Sequence, residues 1–239
     1  MAMSDLGLSK IETLNQPLII LSGVGVSESF QRSAALLAEI SRTFYSRGWV
    51  LGTSGNFSAV VGRAPLRLAM SPSGVDKGSL NADQILLIDS QAKVLSDHRA
   101  KPSDESPLHI RIALERGAGA VLHTHSVWST TLSDLYAVDG GLSIEGYEML
   151  KGLAGVNTHE HREWLPIIEN SQDMPALAET ISGLLRENYG SHGFLLRRHG
   201  LYTWGNDMAQ AKRHSEILEF LLEAFGRLRL MTQGSQRGA

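Results

Sequence analysis

Apolar residues recur at helical spacing in the first clearly patterned part of the chain. Residues three or four positions apart lie on one face of a helix, so this spacing predicts a helix with one buried face. Ser27 or Ser29 can cap its start, and Gly48 ends it. The recurring apolar positions are Phe30, Ala34, Leu37, Ile40 and Phe44.

Short apolar runs bounded by turn-forming residues predict a set of strands. Gly, Pro, Asn and Ser separate these runs, as they do in connections between strands. His199 and Gly200 stand between the last two runs, which predicts a hairpin there. The runs cover residues 57–61, 66–70, 85–88, 93–95, 120–124, 165–168, 193–197 and 201–204.

Four further segments have the apolar spacing of helices. Pro107 suits the first turn of the earliest of these, and Gly117 ends it. Gly190 ends another. The four segments cover residues 106–116, 127–136, 176–188 and 207–230.

Helices and strands mix along the chain without a regular β–α–β alternation. This order predicts an α/β fold of the α+β type: a single domain with a central, mostly antiparallel β-sheet flanked by helices. We assign residues 1–26 to an N-terminal leader, 27–232 to the domain and 233–239 to a C-terminal tail.

Composition excludes several classes of protein. Apolar residues make up 42% of the chain and charged residues 20%, which is typical of a globular protein. The net charge of -3 argues against a nucleic-acid-binding surface. With no cysteine, disulfides, thiolate metal sites and cysteine nucleophiles are all excluded. No signal peptide or membrane-length apolar run is visible, so we expect a cytoplasmic protein without a membrane partner.

The best candidates for chemistry are histidines. His123 and His125 end an apolar strand, and side chains two apart on a strand point to the same side. Two imidazoles placed in this way can chelate zinc or a similar ion, and His199 at the hairpin tip is the best third ligand. Three histidines with an open fourth position form a catalytic type of zinc site, in which the ion polarises a carbonyl.

A second pair with the same spacing, His159 and His161, is a weaker candidate. Polar residues flank it on both sides, which favours an exposed loop with solvated side chains.

Two acids are of interest only if they lie beside a metal and a pocket. Glu105 stands at a helix start, where acids are common, and Glu148 follows a glycine-rich stretch.

Two turns rich in small residues lie at predicted strand ends. Such turns can present backbone N–H groups and hydroxyls to an anion. No Walker-type or dinucleotide-binding glycine pattern is present. The residues available for a phosphate site are Asn56, Ser73, Gly74 and Ser103.

Taken in order, these motifs resemble those of the class II aldolase and adducin-head family over roughly residues 30–230. Asp104 departs from the family pattern, which has a second serine there. The matching segments are 54–58, 71–75, 102–105, 123–125 and 199–201.

The resemblance implies a metal-dependent enzyme acting on a small phosphorylated keto-sugar. It implies one zinc ion per subunit, held by His123, His125 and His199, and a homotetramer with sites near subunit interfaces. Glu105 occupies the position of the aldolase base. Residues 147–152 resemble a dehydratase branch of the family, in which the position of Glu148 carries the catalytic acid/base.

Two other functions remain open at this point. The chain could be an aldolase or epimerase of the same family with Glu105 as its main base. It could instead be a non-catalytic interaction module of the adducin type, which would not need metal ligands. The presence of His123, His125 and His199 favours an enzyme.

Overall fold

The structure, a computed structural model, describes residues 18–96 and 99–236. Residues 1–17 of the predicted leader and 237–239 of the predicted tail lie outside the described residues. Within the described part, five α-helices flank one sheet. The helices are α1 (Leu18–Ser46), α2 (Ser106–Arg116), α3 (Val127–Leu135), α4 (Met174–Glu187) and α5 (Met208–Gln236).

The sheet has eight strands in the order β3-β2-β1-β4-β8-β7-β6-β5. All neighbouring pairs are antiparallel except β6 with β7, which is parallel. The strands are β1 (Asn56–Arg63), β2 (Leu66–Met70), β3 (Leu86–Asp89), β4 (Ala120–Thr124), β5 (Gly141–Ile144), β6 (Glu163–Ile168), β7 (Gly193–Leu196) and β8 (Gly200–Gly205).

Alternation along the strands directs side chains into two apolar layers. On β4, Leu122 packs into a cluster with α1, whereas Val121 packs on the opposite face against α2 and α4. On β7, Leu195 faces α5, whereas Phe194 faces α4. The sheet is therefore buried on both faces, as its nearly continuous apolar strands predict.

The mostly antiparallel sheet flanked by helices confirms the predicted fold class. The predicted helix 106–116 and strand 120–124 have the observed bounds. One strand, β5, was not predicted, because glycines on both sides of it interrupt the alternating pattern. Residues 93–95 contribute one isolated bridge, between Ile88 and Val94, rather than a strand.

The first helix begins earlier than its capping serines indicated. It starts at Leu18, so residues 18–26 of the predicted leader belong to α1. Ser27 and Ser29 therefore lie inside the helix and do not cap it. Among the described residues, no helix combines the length and the apolar character needed to cross a membrane.

Strand register brings the candidate residues to one edge of the sheet. Asn56 of β1 pairs with His123 of β4, and His123 pairs with Tyr202 of β8. At the start of β8, Gly200 lies so close to the Thr124 carbonyl that a Cβ atom there would overlap it. The sheet can therefore close at this point only with glycine in β8.

We expect Gly200→Ala to lower the free energy of unfolding by about 2 kcal/mol or more, because a methyl group would push β8 away from β4. Chemical denaturation would measure the change. Gly183→Ala in α4 is the matched control, since no atom lies within 4 Å of its added Cβ. The control should be neutral or gain about 0.5–1 kcal/mol. Equal stability of Gly200→Ala and wild type would contradict the close approach.

Candidate functional site

Three histidines converge where β4 ends and β8 begins. The Nε2 atom of His123 lies 2.7 Å from Nε2 of His125 and 3.3 Å from Nε2 of His199. His123 ends the buried strand β4, and the backbone N–H of His125 donates to the Trp49 carbonyl at 2.7 Å. The structure thus brings together all three predicted metal ligands.

The donor set fits a metal ion. Nδ1 of His123 lies 3.0 Å from the Leu201 carbonyl, which can only accept, so this nitrogen carries the hydrogen. Its Nε2 therefore presents a lone pair toward the other two rings. Imidazole nitrogens this close need a proton or a cation between them, and imidazole suits zinc, iron, copper and nickel. The backbone acceptor behind His123 is the usual support for a ligating ring.

Burial keeps the three histidines neutral. It is the largest cause lowering the pKa of each, and the neighbouring imidazoles add to it for His123 and His125. The pKa of His125 falls to about 3, and that of His123 lies well below its ordinary value. Glu105 partly opposes the effect at His199. All three are therefore unprotonated near neutral pH, which is the form that binds metals.

Glu105 lies against the histidine cluster at the start of α2. One carboxylate oxygen, Oε1, is 3.2 Å from Nε2 of His199, and the other, Oε2, is 3.6 Å from Nε2 of His123. The side-chain amide of Asn56 donates to Oε2 at 2.5 Å and to the Ser103 hydroxyl at 3.1 Å. A carboxylate in this position can accept a proton from a molecule bound beside the histidines.

A buried histidine holds Asn56 from behind. Nε2 of His109 is 2.5 Å from the Asn56 carbonyl oxygen, and Nδ1 is 2.8 Å from the Ser58 hydroxyl. Because the amide nitrogen of Asn56 already donates to Glu105, its oxygen must accept from His109. Burial lowers the pKa of His109 to about 3, so this ring stays neutral. A chain of hydrogen bonds from Ser58 to Glu105 follows.

A cavity of about 280 Å³ opens in front of the cluster. It brings the predicted phosphate residues next to the predicted metal ligands and to Glu105. Gly74 has a left-handed backbone (φ 70°), and the Ser73 N–H donates to the Lys101 carbonyl at 2.9 Å. The predicted residues that line the cavity are Asn56, Ser73, Gly74, Ser103, Glu105, His125 and His199.

Three residues of the site were missed from the sequence. Lys77 lines the cavity, His109 supports Asn56, and Tyr202 stacks on the ring of His123 with centroids 3.9 Å apart. Burial, followed by the nearby Glu105 carboxylate, raises the pKa of Tyr202 well above its ordinary value. His109 stands one helical turn after Glu105, and this spacing would have placed both on one face of α2.

Glu148 lies away from the cluster within this chain. Its side chain is 73% exposed, bonds to Lys151 at 2.7 Å and lies 3.9 Å from Nδ1 of His159. Contact with Lys151 lowers its pKa, so it is ionised at neutral pH. It does not line the cavity in front of the histidines. Its predicted role as an acid therefore stays a prediction.

The competing histidine pair divides between two environments. His159 is exposed, as predicted, but His161 reaches the buried carboxylate of Glu163 at 2.9 Å. Nδ1 of His192 lies 3.0 Å from the same carboxylate, and Nε2 of His192 lies 2.8 Å from the Ala154 carbonyl. Because both nitrogens of His192 face acceptors, its protonated form and Glu163 make a buried ion pair. These three side chains satisfy one another without a metal.

This ion pair gives the protein a pH-dependent stability. Burial alone would raise the pKa of Glu163 and lower that of His192, but their contact reverses both shifts. The contribution of Glu163 is complete above about pH 4.3 and is lost as pH falls through its lowered pKa. The contribution of His192 is complete below about pH 6.5 and is lost as pH rises through its raised pKa.

We therefore expect His192→Gln to destabilise the protein more at about pH 5.5 than at about pH 8.5, because the contribution of charged His192 is lost as pH rises through its raised pKa. Urea denaturation at both values would measure the two differences. His159→Gln replaces an exposed histidine and should give a small difference that changes little with pH. A destabilisation by His192→Gln that is the same at both values would rule out the charged pair.

Comparison with known proteins assigns the chain to a family. The family model described as "Class II Aldolase and Adducin N-terminal domain" matches residues 35–225. A methylthioribulose-1-phosphate dehydratase of Sorangium cellulosum is 40% identical over 82% of this chain and 92% of its own length. The corresponding protein of Methylococcus capsulatus is 44% identical over 81% of this chain and 93% of its own length.

Solved structures agree on the fold. An L-fuculose-1-phosphate aldolase from Thermus thermophilus superposes with a TM-score of 0.66 at 21% identity, over 87% of this chain and 98% of its own. The Klebsiella pneumoniae protein YgbL, described as a putative aldolase/epimerase/decarboxylase, superposes with a TM-score of 0.70 at 24% identity, over 83% of this chain and 90% of its own. The chain belongs to the class II aldolase and adducin N-terminal domain family.

Proposed function

We propose that this protein is a lyase that converts 5-methylthioribulose 1-phosphate to 2,3-diketo-5-methylthiopentyl 1-phosphate and water, a step of methionine salvage. The observation that carries the proposal is the convergence of three neutral histidines and Glu105 on one cavity. The two turns rich in small residues, at 53–56 and 72–74, line the same cavity. The relatives named methylthioribulose-1-phosphate dehydratase, similar over about four fifths of the chain, support the choice of substrate.

His123, His125 and His199 would hold the metal ion, for which we propose zinc. Their neutral rings and converging Nε2 atoms support a divalent ion that prefers imidazole. Bound there, such an ion polarises a substrate carbonyl and so acidifies the adjacent C–H group. Manganese, cobalt or iron would be accepted by the same ligands.

The reaction removes a proton from C3 and the hydroxyl group from C4. We assign the first task to Glu105, whose carboxylate faces the cavity and the histidine cluster. We assign the second to Glu148, which in its protonated form would donate to the departing C4 hydroxyl. Tautomerisation of the resulting enol at C3 and C4 completes the diketone, with one water released. Asn56, Ser73, Gly74 and Ser103 would hold the phosphate.

We propose that Glu148 reaches the site from a second subunit. Within one chain it is exposed and bonded only to neighbouring surface residues, whereas the cavity in front of the histidines is open. A homotetramer with sites near its subunit interfaces, as the family resemblance implies, would bring the two together. Ionised Glu148 must gain a proton before it can act, and burial at an interface would raise its pKa in the required direction.

The alternative is an aldolase or epimerase acting on another phosphorylated keto-sugar. The placement of Glu105 favours it, because this carboxylate is the acid closest to the histidines and needs no second subunit. A non-catalytic interaction module has less support, since such a module has no need of three converging neutral imidazoles.

The assay that separates these functions uses purified, zinc-loaded protein and 5-methylthioribulose 1-phosphate. We expect NMR spectra to show the diketone phosphate with its carbon chain intact. An aldolase would release a two- or three-carbon fragment, and an epimerase would give an isomer without loss of water. The absence of any product from protein that retains its metal would exclude the proposed substrate.

Two variants test the arrangement of the subunits. His125→Ala should lose both metal and activity. Glu148→Gln should keep the metal and lose activity by about 10²- to 10⁴-fold, as expected for a missing general acid. In mixed oligomers that carry both variants, about a quarter of the sites would combine an intact metal centre with an intact Glu148 from the neighbour.

Recovery of activity in the purified mixed oligomers would therefore support the shared site. Metal analysis by mass spectrometry and activity assays would follow each preparation. Glu160→Gln, which alters another exposed acid nearby, is the control and should behave as wild type. Mixed oligomers as inactive as their parents would show that Glu148 does not act across an interface.

A further inference from the structure

Lys77 is a buried cation in the wall of the cavity. Lys77 follows the turn that contains Ser73 and Gly74 in the sequence, and it is only 1% exposed. Burial, which outweighs the nearby charge of Asp76, lowers its pKa to about 8. The amine is therefore still mostly protonated at neutral pH. A positive charge is kept in a place from which water is nearly excluded.

No carboxylate forms an ion pair with Lys77 among residues 28–96 and 99–232, whose side chains the structure describes. Its ammonium group donates to the carbonyls of Val75 at 2.9 Å and Thr53 at 3.2 Å, and both acceptors are neutral. Asp76 is adjacent in sequence, but its carboxylate accepts from the Gly78 N–H. An ammonium has three donors, so one N–H is left for another partner. A buried charge without a direct ion-pair partner is costly, and a bound anion would lower that cost.

The backbone around Lys77 is held in place before any ligand binds. The hydroxyl of Ser41 in α1 donates to the Lys77 carbonyl at 2.9 Å. The next residue, Gly78, lies against the ring of Tyr45, where an added Cβ would be 2.7 Å from a ring carbon. Ser41 and Tyr45 of α1 contact Lys77 and Gly78, and these contacts fix the backbone from which the lysine side chain extends. A positioned cation of this kind loses little conformational freedom when it binds an anion.

Lys77 also lies near both the turn with Ser73 and Gly74 and the histidine cluster. It lines the same cavity as Ser73, Gly74 and His125. Its charge is close enough to His125 to contribute to the lowered pKa of that ring. An anion that contacts Lys77 and the turn would therefore place the atoms attached to it near the histidines.

We propose that Lys77 is the cation that pairs with the substrate's phosphate and so selects phosphorylated over unphosphorylated keto-sugars. Backbone N–H groups and serine hydroxyls of the turns are neutral donors, whereas Lys77 carries a full positive charge. A phosphate can form an ion pair with this charge, and the neutral hydroxyl of an unphosphorylated sugar cannot. The identity of the sugar rests on the proposed function, but the pairing with phosphate does not depend on it.

Inorganic phosphate is the probe for this pairing. Calorimetric titration into the metal-loaded protein gives its dissociation constant, and thermal unfolding with and without phosphate gives an independent shift in Tm. We expect Lys77→Met to weaken phosphate binding by about 10-fold or more and to abolish the phosphate-dependent rise in Tm. Lys93→Met makes the same chemical change at an exposed lysine and should bind phosphate as wild type does.

Lys77→Gln provides a second neutral variant in case the methionine does not fold. Metal content must be unchanged in every variant, which separates loss of the phosphate partner from damage to the histidine cluster. Phosphate binding by Lys77→Met or Lys77→Gln that equals wild type would overturn the proposal. Wild-type protein that binds no phosphate would overturn it as well.

Kinetics separate this inference from the proposed function. If the protein dehydrates 5-methylthioribulose 1-phosphate, Lys77→Met should raise KM for it more than it lowers kcat. The variant should also lose most of the preference over unphosphorylated 5-methylthioribulose. If wild type does not turn over the substrate but its phosphate binding depends on Lys77, the proposed reaction is wrong and the phosphate site stands.

Discussion

At the end of β4 the backbone carbonyl of Thr124 lies directly against Gly200, closer than any side chain there would allow. This contact joins β4 to β8 at the level where His123, His125 and His199 meet. The register that results also sets Tyr202 against the ring of His123 and Asn56 beside its backbone. The meeting of the three histidines thus depends on how closely β4 and β8 can pair.

One cavity of the site has a region that favours a cation and a region that favours an anion. Nitrogen lone pairs converge at the histidine cluster, which favours a cation, and the ammonium of Lys77 favours an anion. His123 and Lys77 are buried, so bulk water does little to stabilise either a bare lone pair or a bare charge there. The proposed substrate carries a carbonyl and a phosphate, so it would interact with both groups at once. Two such contacts would hold it in one orientation.

Much of the fold could be predicted because its signals are local. The helix 106–116 and the strand 120–124 are bounded by glycine and by clear periodicity, and the three histidines stand at predicted strand ends. The start of α1 and the strand β5 were missed, because the former lacks a capping signal at Leu18 and the latter is flanked by glycines. Local patterns do not record which strands will pair.

Local sequence patterns also do not show which side chains the fold brings together at the site. Lys77 stands in an ordinary turn sequence, and its importance arises from burial opposite α1, which only the folded chain shows. His109 looks like one more residue of an amphipathic helix until Asn56 is brought against it. Glu148 is the reverse case, since family resemblance marks it and the isolated chain leaves it at the surface. If Glu148 acts from a second subunit, as we propose, the geometry of one chain does not reveal its place in the site.

The hydrogen-bond chain from Ser58 through His109 and Asn56 makes the two oxygens of Glu105 unequal. Oε2 is occupied by the Asn56 amide, whose orientation is fixed from within the core, and Oε1 remains beside His199. If Glu105 is the base, as we propose, Oε1 is the oxygen left to accept the proton. The fully buried ring of His109, which fixes the Asn56 amide, would thus select the reactive oxygen of a carboxylate that it does not touch.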